Sequence, residues 1–428
     1  MRASLLAKSV AAVQSQAAVL KTKLNNGLAV VSQENNGAVC QLILAFRAGS
    51  RYQLAGQEGL VHHVRNYVGR DVKEYTGMHL VWSSAEKGAI MSSFTNRDIF
   101  GVQISVPRDH AAHALSILGH VAAQPAFKEW ELEEIPRTIL ADLSLKTPYE
   151  IVFEDVHRAA FRSDSLSYSL YSSKRQVGSY KSEELRQFAA KHFVSGNGVL
   201  VGINVDQSLL KSYAEESGAI NDGIVATNHG SPLRGGDYRR FARRRDVHMI
   251  IAGSGAGIAD RKKLAIQSVF LAHIGRVSPL KFSSLPGSTS GLGLAKLPEG
   301  VSGSAFQAAY DGSGLVGAYI IASPGNADAA VRAAVEAFRN PKVKDIEACK
   351  LRAINEILFN AENSIHAAYK HATNALYGGP SQSELIDEIR NVQSKDIEKF
   401  AENAFKRLAI SAYGNHGRIP YSDELQRI

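Results

Sequence analysis

The chain has 428 residues, of which 45% are hydrophobic and 21% charged, with a formal net charge of +8. That length suggests two or three domains with a sizeable core, and the modest basicity permits anionic partners without demanding nucleic acid. The absence of a run of about eighteen apolar residues argues against a membrane-spanning helix, and Cys40 and Cys349 alone exclude a disulfide framework or a cysteine-based metal site.

Residues 1–20 carry Arg2 and Lys8 and no acid, and the first acidic residue is Glu34. A basic, acid-poor, amphipathic start reads as a mitochondrial presequence, against the blander reading of a frayed arm. The mature chain would then begin between Ala17 and Lys23. A strand pair follows, Leu28 to Gln33 after the turn Asn25-Asn26-Gly27 and Val39 to Ala48 after Asn35-Asn36-Gly37. The segment Gly59 to Asn66 reads as a helix. A strand is expected around Phe100 to Val106. Helices are expected over Asp109 to Ala122, Trp130 to Ser144, Glu150 to Phe161 and Ser182 to Phe193, and a buried strand over Val199 to Val205.

The plan recurs. Gly101 and its following helix match Gly317 and the helix Ala327 to Arg339, an offset of 317 − 101 = 216. Phe188 matches Phe400, an offset of 400 − 188 = 212. Two similar offsets argue for a duplicated unit. The expected organisation is a lobe over 21–217, a Gly-, Asn- and Ser-rich linker over 218–236, and a second lobe over 237–428.

The segment that decides the chemistry is His62-His63-Val64-Arg65-Asn66. An inverted zinc-peptidase motif, H-x-x-E-H, places two imidazoles four residues apart on one helix face, with a glutamate to handle the attacking water. Here His62 holds the first position, Arg65 the glutamate position and Asn66 the second histidine position. A guanidinium cannot act as a general base and repels a dication. His63 points to another helix face. A third ligand, a glutamate by resemblance, is expected in Pro136 to Ser144, which offers only Asp142. No catalytic residue and no metal site is therefore expected, and His62 reads as a packed helix residue.

Other candidates are weaker. His110, His113 and His120 share a helix face but lack a supporting carboxylate, and read as a solvent-facing polar stripe. Ser283 to Gly300 is glycine-rich without the ending of a phosphate loop, and reads as a surface loop. Arg239, Arg240, Arg243, Arg244 and Arg245 read as a contact for a protein or anionic lipid, or as a charged strand edge. Nucleic acid is disfavoured, because no aromatic interleaving accompanies them.

Ala48-Gly49-Ser50-Arg51-Tyr52 followed by Gly59-Leu60-Val61-His62 resembles the signature of the mitochondrial processing peptidase and pitrilysin family. The resemblance extends through Val156 to Phe161 and Tyr310 to Gly317. It implies an α+β fold of two homologous lobes around a cavity, each lobe a mostly antiparallel sheet backed by helices. The tail Gly414 to Leu425 and the lost motif resemble the non-catalytic core subunits of respiratory complex III, the ubiquinol–cytochrome c reductase. That likeness implies a scaffold on the matrix side of the mitochondrial inner membrane, partnered by core protein 1 and cytochrome b and holding no cofactor. The non-catalytic α-type subunit of the processing peptidase, and an active zinc peptidase, remain as alternatives. Gly69 to Met78 departs from the family's compact turn and leaves the end of the His62 helix open.

Overall fold

The structure, a computed structural model, describes residues 18–225, 230–276, 294 and 297–427. The expected leader up to residue 17, and most of the Ser283 to Gly300 loop, lie outside the described residues.

Two mixed sheets organise the fold. The first runs in the order β1 (Val19–Lys23), β2 (Ala29–Gln33), β6 (Gly198–Ile203), β3 (Val39–Phe46), β5 (Phe100–Pro107) and β4 (Ile90–Thr95). The second runs β7 (Gly236–Phe241), β11 (Ala409–Gly414), β8 (Val247–Ser254), β10 (Ser313–Ala322) and β9 (Ser302–Tyr310). In each sheet the strand from the end of the half lies between the first two of the repeated plan. It pairs in parallel with one (β6 with β2, β11 with β7) and antiparallel with the other (β6 with β3, β11 with β8). The remaining pairs are antiparallel. The α+β fold expected from the sequence is therefore present.

The insertion of β6 corrects one expectation. Within Asn35-Asn36-Gly37, Asn36 takes the left-handed conformation at φ 56, but β2 and β3 do not form a hairpin. Asn204, which follows β6, clasps that segment by accepting from the Asn35 N–H at 2.9 Å and donating to the Val39 carbonyl at 2.8 Å. The hairpin is instead β1–β2 around Asn25-Asn26-Gly27, so Val19 and Leu20 of the expected leader lie in a paired strand. The expected helix Trp130 to Ser144 is also interrupted: Pro136 starts a separate helix, Ile135–Ser144, after the short Glu129–Leu132.

Both sheets bury both faces, and strand alternation separates the two sets of side chains. In the first sheet Val30, Leu42, Leu44, Val102 and Leu200 face helices of their own half, including Leu60–Tyr67, Ala111–Ala123 and Ser182–His192. Val31, Ile43, Ala45, Val199 and Val201 face the other way, onto Ala367, Ala368, Ala372 and Leu376 of helix Ser364–Tyr377. In the second sheet, Val247, Met249, Ile251, Val316 and Ile410 face their own half. Ile250, Ala252, Leu315 and Ala409 face Val152, Val156, Ala159 and Ala160 of helix Pro148–Phe161. The halves thus exchange helices, each covering the other's sheet. The exchanged helices start 364 − 148 = 216 residues apart, the same offset as Gly101 and Gly317.

Each exchanged helix is strongly bounded. Thr147 and Glu150 form a capping box ahead of Pro148. Asn363 caps the N–H groups of Ile365 and His366, and Gly378 ends that helix at φ 67. A cleft of about 1470 Å³ lies between the halves, lined by Val19 and Gln33 on one side and by Leu264, Ile357 and Lys370 on the other.

Candidate functional site

Helix Leu60–Tyr67 begins at Gly59, whose φ of 94 suits glycine; a Cβ there would stand 2.5 Å from Ser172 Cα. Glycine offers no capping side chain, so Gln53 supplies one. Its Oε1 accepts from the N–H groups of Gly59 and Val61, each at 3.0 Å. The helix ends at Tyr67 in spite of the charged departure at Gly69 to Met78. Asp71 fixes the exit by accepting from the Gly77 N–H at 2.7 Å and pairing with Lys128 at 2.5 Å.

His62 is fully buried. Its Nδ1 accepts from the Ser172 N–H at 3.2 Å, which leaves the ring proton on Nε2, and Nε2 donates to Asp142 Oδ2 at 3.1 Å. Burial pushes the His62 pKa down to about 4, against the pull of Asp142, so the ring is neutral. The same Asp142 oxygen receives Arg65 Nη2 at 2.5 Å and Asn66 Nδ2 at 3.3 Å. Burial works against the Asp142 charge. The hydrogen bonds from His62 and Asn66, with the Arg65 guanidinium, outweigh it and hold the carboxyl below its usual range. Asn66 Nδ2 also donates to the His62 carbonyl at 3.0 Å.

A catalytic zinc needs three protein ligands and an open position. Here the face that would receive it presents the protonated edge of His62, an amide N–H and a guanidinium, all directed at one carboxylate. These residues do not fit a metal ion. Among the described residues, no group of three or more His, Cys, Asp or Glu is placed to hold one. His63 faces away: its Nδ1 donates to Gly59 O at 2.8 Å, and its Nε2 accepts from the Gly178 N–H at 3.0 Å.

The neighbouring Ala48 to Tyr52 segment has a structural task. Arg51 Nη1 pairs with Asp98 at 2.6 Å, both fully buried, and donates to the Asp311 carbonyl at 3.2 Å. Asp98 in turn accepts from the Asp311 N–H at 2.8 Å, so the motif ties one half to the β9–β10 turn of the other. Beside it, Arg97 pairs with Glu154 at 3.0 Å in an equally buried setting. Asp98 and Glu154 were not singled out from the sequence. The signal was Asn96-Arg97-Asp98, charge placed directly before an apolar strand.

The histidine stripe is half-buried instead of solvent-facing. His113 Nε2 lies 2.6 Å from Ser83 Oγ, and His120 Nδ1 lies 3.0 Å from Gln124 Oε1. The arginine cluster divides. Arg239 donates to the Ile419 and Pro420 carbonyls at 2.7 and 2.8 Å and lies over the Tyr421 ring, so it fastens the tail. Arg240 grips Asp155 of helix Pro148–Phe161 at 2.5 and 2.7 Å. Only Arg243, Arg244 and Arg245 remain as an exposed group, after the edge strand β7. No helix among the described residues is long and apolar enough to cross a membrane.

Residues 29–174 match the family described as Insulinase (Peptidase family M16). The cytochrome b-c1 complex subunit 2, mitochondrial, of Rattus norvegicus is 27% identical over 415 residues, covering 94% of this chain and 91% of that protein. The Homo sapiens protein of the same name is 27% identical with the same coverage. The mitochondrial-processing peptidase subunit alpha of Solanum tuberosum is 23% identical, covering 94% of this chain and 83% of its own. The chain is thus similar along nearly its whole length to the b-c1 subunit 2 proteins, and over residues 29–174 to the insulinase family of peptidases.

Proposed function

We propose that the chain is the core protein 2 subunit of a mitochondrial ubiquinol–cytochrome c reductase. It serves as a scaffold on the matrix side of the inner membrane, partnered by core protein 1 and cytochrome b, and catalyses no peptidase reaction. The observation that carries this reading is the similarity to subunit 2 proteins over 94% of the chain, combined with a motif helix closed by Arg65 and Asp142. Native-gel fractionation of mitochondria tests it. Co-migration with cytochrome b, and loss of assembled complex on depletion, are expected; recovery only as a free matrix protein would refute it.

The α-type subunit of the processing peptidase is a second reading, supported by relatives at 22% and 23% identity. It predicts a matrix complex with a zinc-carrying partner. Within either reading, 21–217 and 237–428 are the two copies of one duplicated unit, joined through 218–236. The shared strand order and the 216-residue spacing of the exchanged helices support that division.

The exposed turn Arg243-Arg244-Arg245, beside Phe241 at 67% exposure, is the part suited to anionic lipid head groups. Each arginine near such a surface contributes about 1 kcal/mol. Replacing all three by glutamine should abolish salt-sensitive co-sedimentation of the full chain with cardiolipin vesicles. Unchanged binding would remove the lipid assignment.

A further inference from the structure

We propose that Arg65 is the resident cation of the former metal position, and that the Ser172 peptide N–H is a second, independent lock that keeps His62 a proton donor instead of a metal ligand. The first half follows from charge and placement. Asp142 comes from a different helix, Ile135–Ser144, and Arg65 brings the positive charge that this carboxylate faces, at 2.5 Å. A divalent ion there would neutralise the carboxylate and pin that helix to Leu60–Tyr67. The guanidinium does both without leaving the chain.

The second half follows from the imidazole. Tetrahedral zinc ligands at their usual bond lengths stand about 3.3 Å apart. The 3.1 Å between His62 Nε2 and Asp142 Oδ2 is therefore close to what a shared ion would require. Distance alone does not exclude metal, but the proton does. A histidine that ligates through Nε2 keeps its proton on Nδ1 and donates it to a carbonyl or carboxylate. Here Nδ1 faces a donor, the Ser172 N–H at 3.2 Å, so the lone pair is on Nδ1 and the proton on Nε2. Gly59 permits this contact. Its missing side chain lets the Ser172 backbone approach the start of the helix, where a Cβ would be 2.5 Å from Ser172 Cα. The lock sits on a peptide group, so no side-chain change at position 65 or 66 removes it.

Three measurements on the full chain test these roles. They are independent of whether the chain assembles into complex III. In the first, Arg65→Met and Asp142→Asn should each lower the midpoint of thermal unfolding by a few degrees, and the double variant should lose little more than either single one. Strictly additive losses would overturn the resident-cation role. In the second, the variant Arg65→Glu/Asn66→His regains the ligand types of the motif, yet should retain no stoichiometric zinc after dialysis against micromolar zinc. One tightly held zinc per folded chain would overturn the Ser172 lock. In the third, which needs no variant to fold, the 15N spectrum of histidine-labelled wild-type protein should show the His62 proton on Nε2. A proton on Nδ1 would overturn the lock as well.

Discussion

The Tyr310 hydroxyl lies 2.8 Å from His157 Nε2, and these two residues come from opposite halves of the chain. His157 Nδ1 lies 2.6 Å from the Phe153 carbonyl within the same helix and donates to it. That leaves Nε2 as the acceptor of the tyrosine proton. Burial pushes the His157 pKa well below its ordinary range, so the ring remains neutral and the bond is one between uncharged groups. Tyr310→Phe removes the donor and leaves a buried ring nitrogen without it. The expected cost is about 1–3 kcal/mol in urea unfolding.

The Arg51–Asp98 pair predicts a larger effect. Both side chains are fully buried, and removing one partner strands the other's charge. Arg51→Met should cost about 3–5 kcal/mol, read from the same denaturation curves. Because Asp98 also holds the Asp311 N–H, proteolysis of this variant should begin near the β9–β10 turn.

The helix exchange makes the halves interdependent. Residues 21–217 expressed alone would leave the apolar face of helix Pro148–Phe161 without its sheet, and Ile43, Val199 and Val201 without their cover. That fragment should be insoluble or molten, as should 237–428. Co-expression of the two should recover folded protein, measured by soluble yield and circular dichroism.

Stability should fall between about pH 6.5 and pH 4. Burial pushes the pKa of His62, His192 and His371 down to about 4 in the folded chain. The unfolded chain binds protons at these histidines near pH 6.5, and the folded chain does not until about pH 4. Protons taken up on unfolding make stability rise with pH across that window. Near pH 5 the three histidines should together take up about three protons, checked from the slope of unfolding free energy against pH.

The elements with strong periodicity were legible, and those governed by long-range pairing were not. Helix Ala327–Arg339 and strand β5 stand out locally. The placement of β6 between β2 and β3 depends on residues some 160 positions away, and no turn signal at Asn36-Gly37 carries that information. Helix Ser364–Tyr377 is faint in the sequence because its buried face is built largely of alanines, which leave a weak apolar stripe. At the site, the residue types were readable: Arg65 offers no general base and Asn66 no second imidazole. That Asp142 gathers His62, Arg65 and Asn66 on one oxygen, and that Ser172 sets the imidazole proton, depends on two segments distant in sequence.

The helix exchange also sets a timetable for biosynthesis. The first sheet has all its strands once residue 203 is made, but the helix that covers its second face starts at residue 364, which is 364 − 203 = 161 residues later. At common translation rates that interval is about 8–30 s. For that time a sheet face rich in valine and isoleucine stands open in a chain still growing. The newborn protein therefore has to be shielded or kept unfolded until its far end arrives, and a pause in that interval would favour aggregation over assembly.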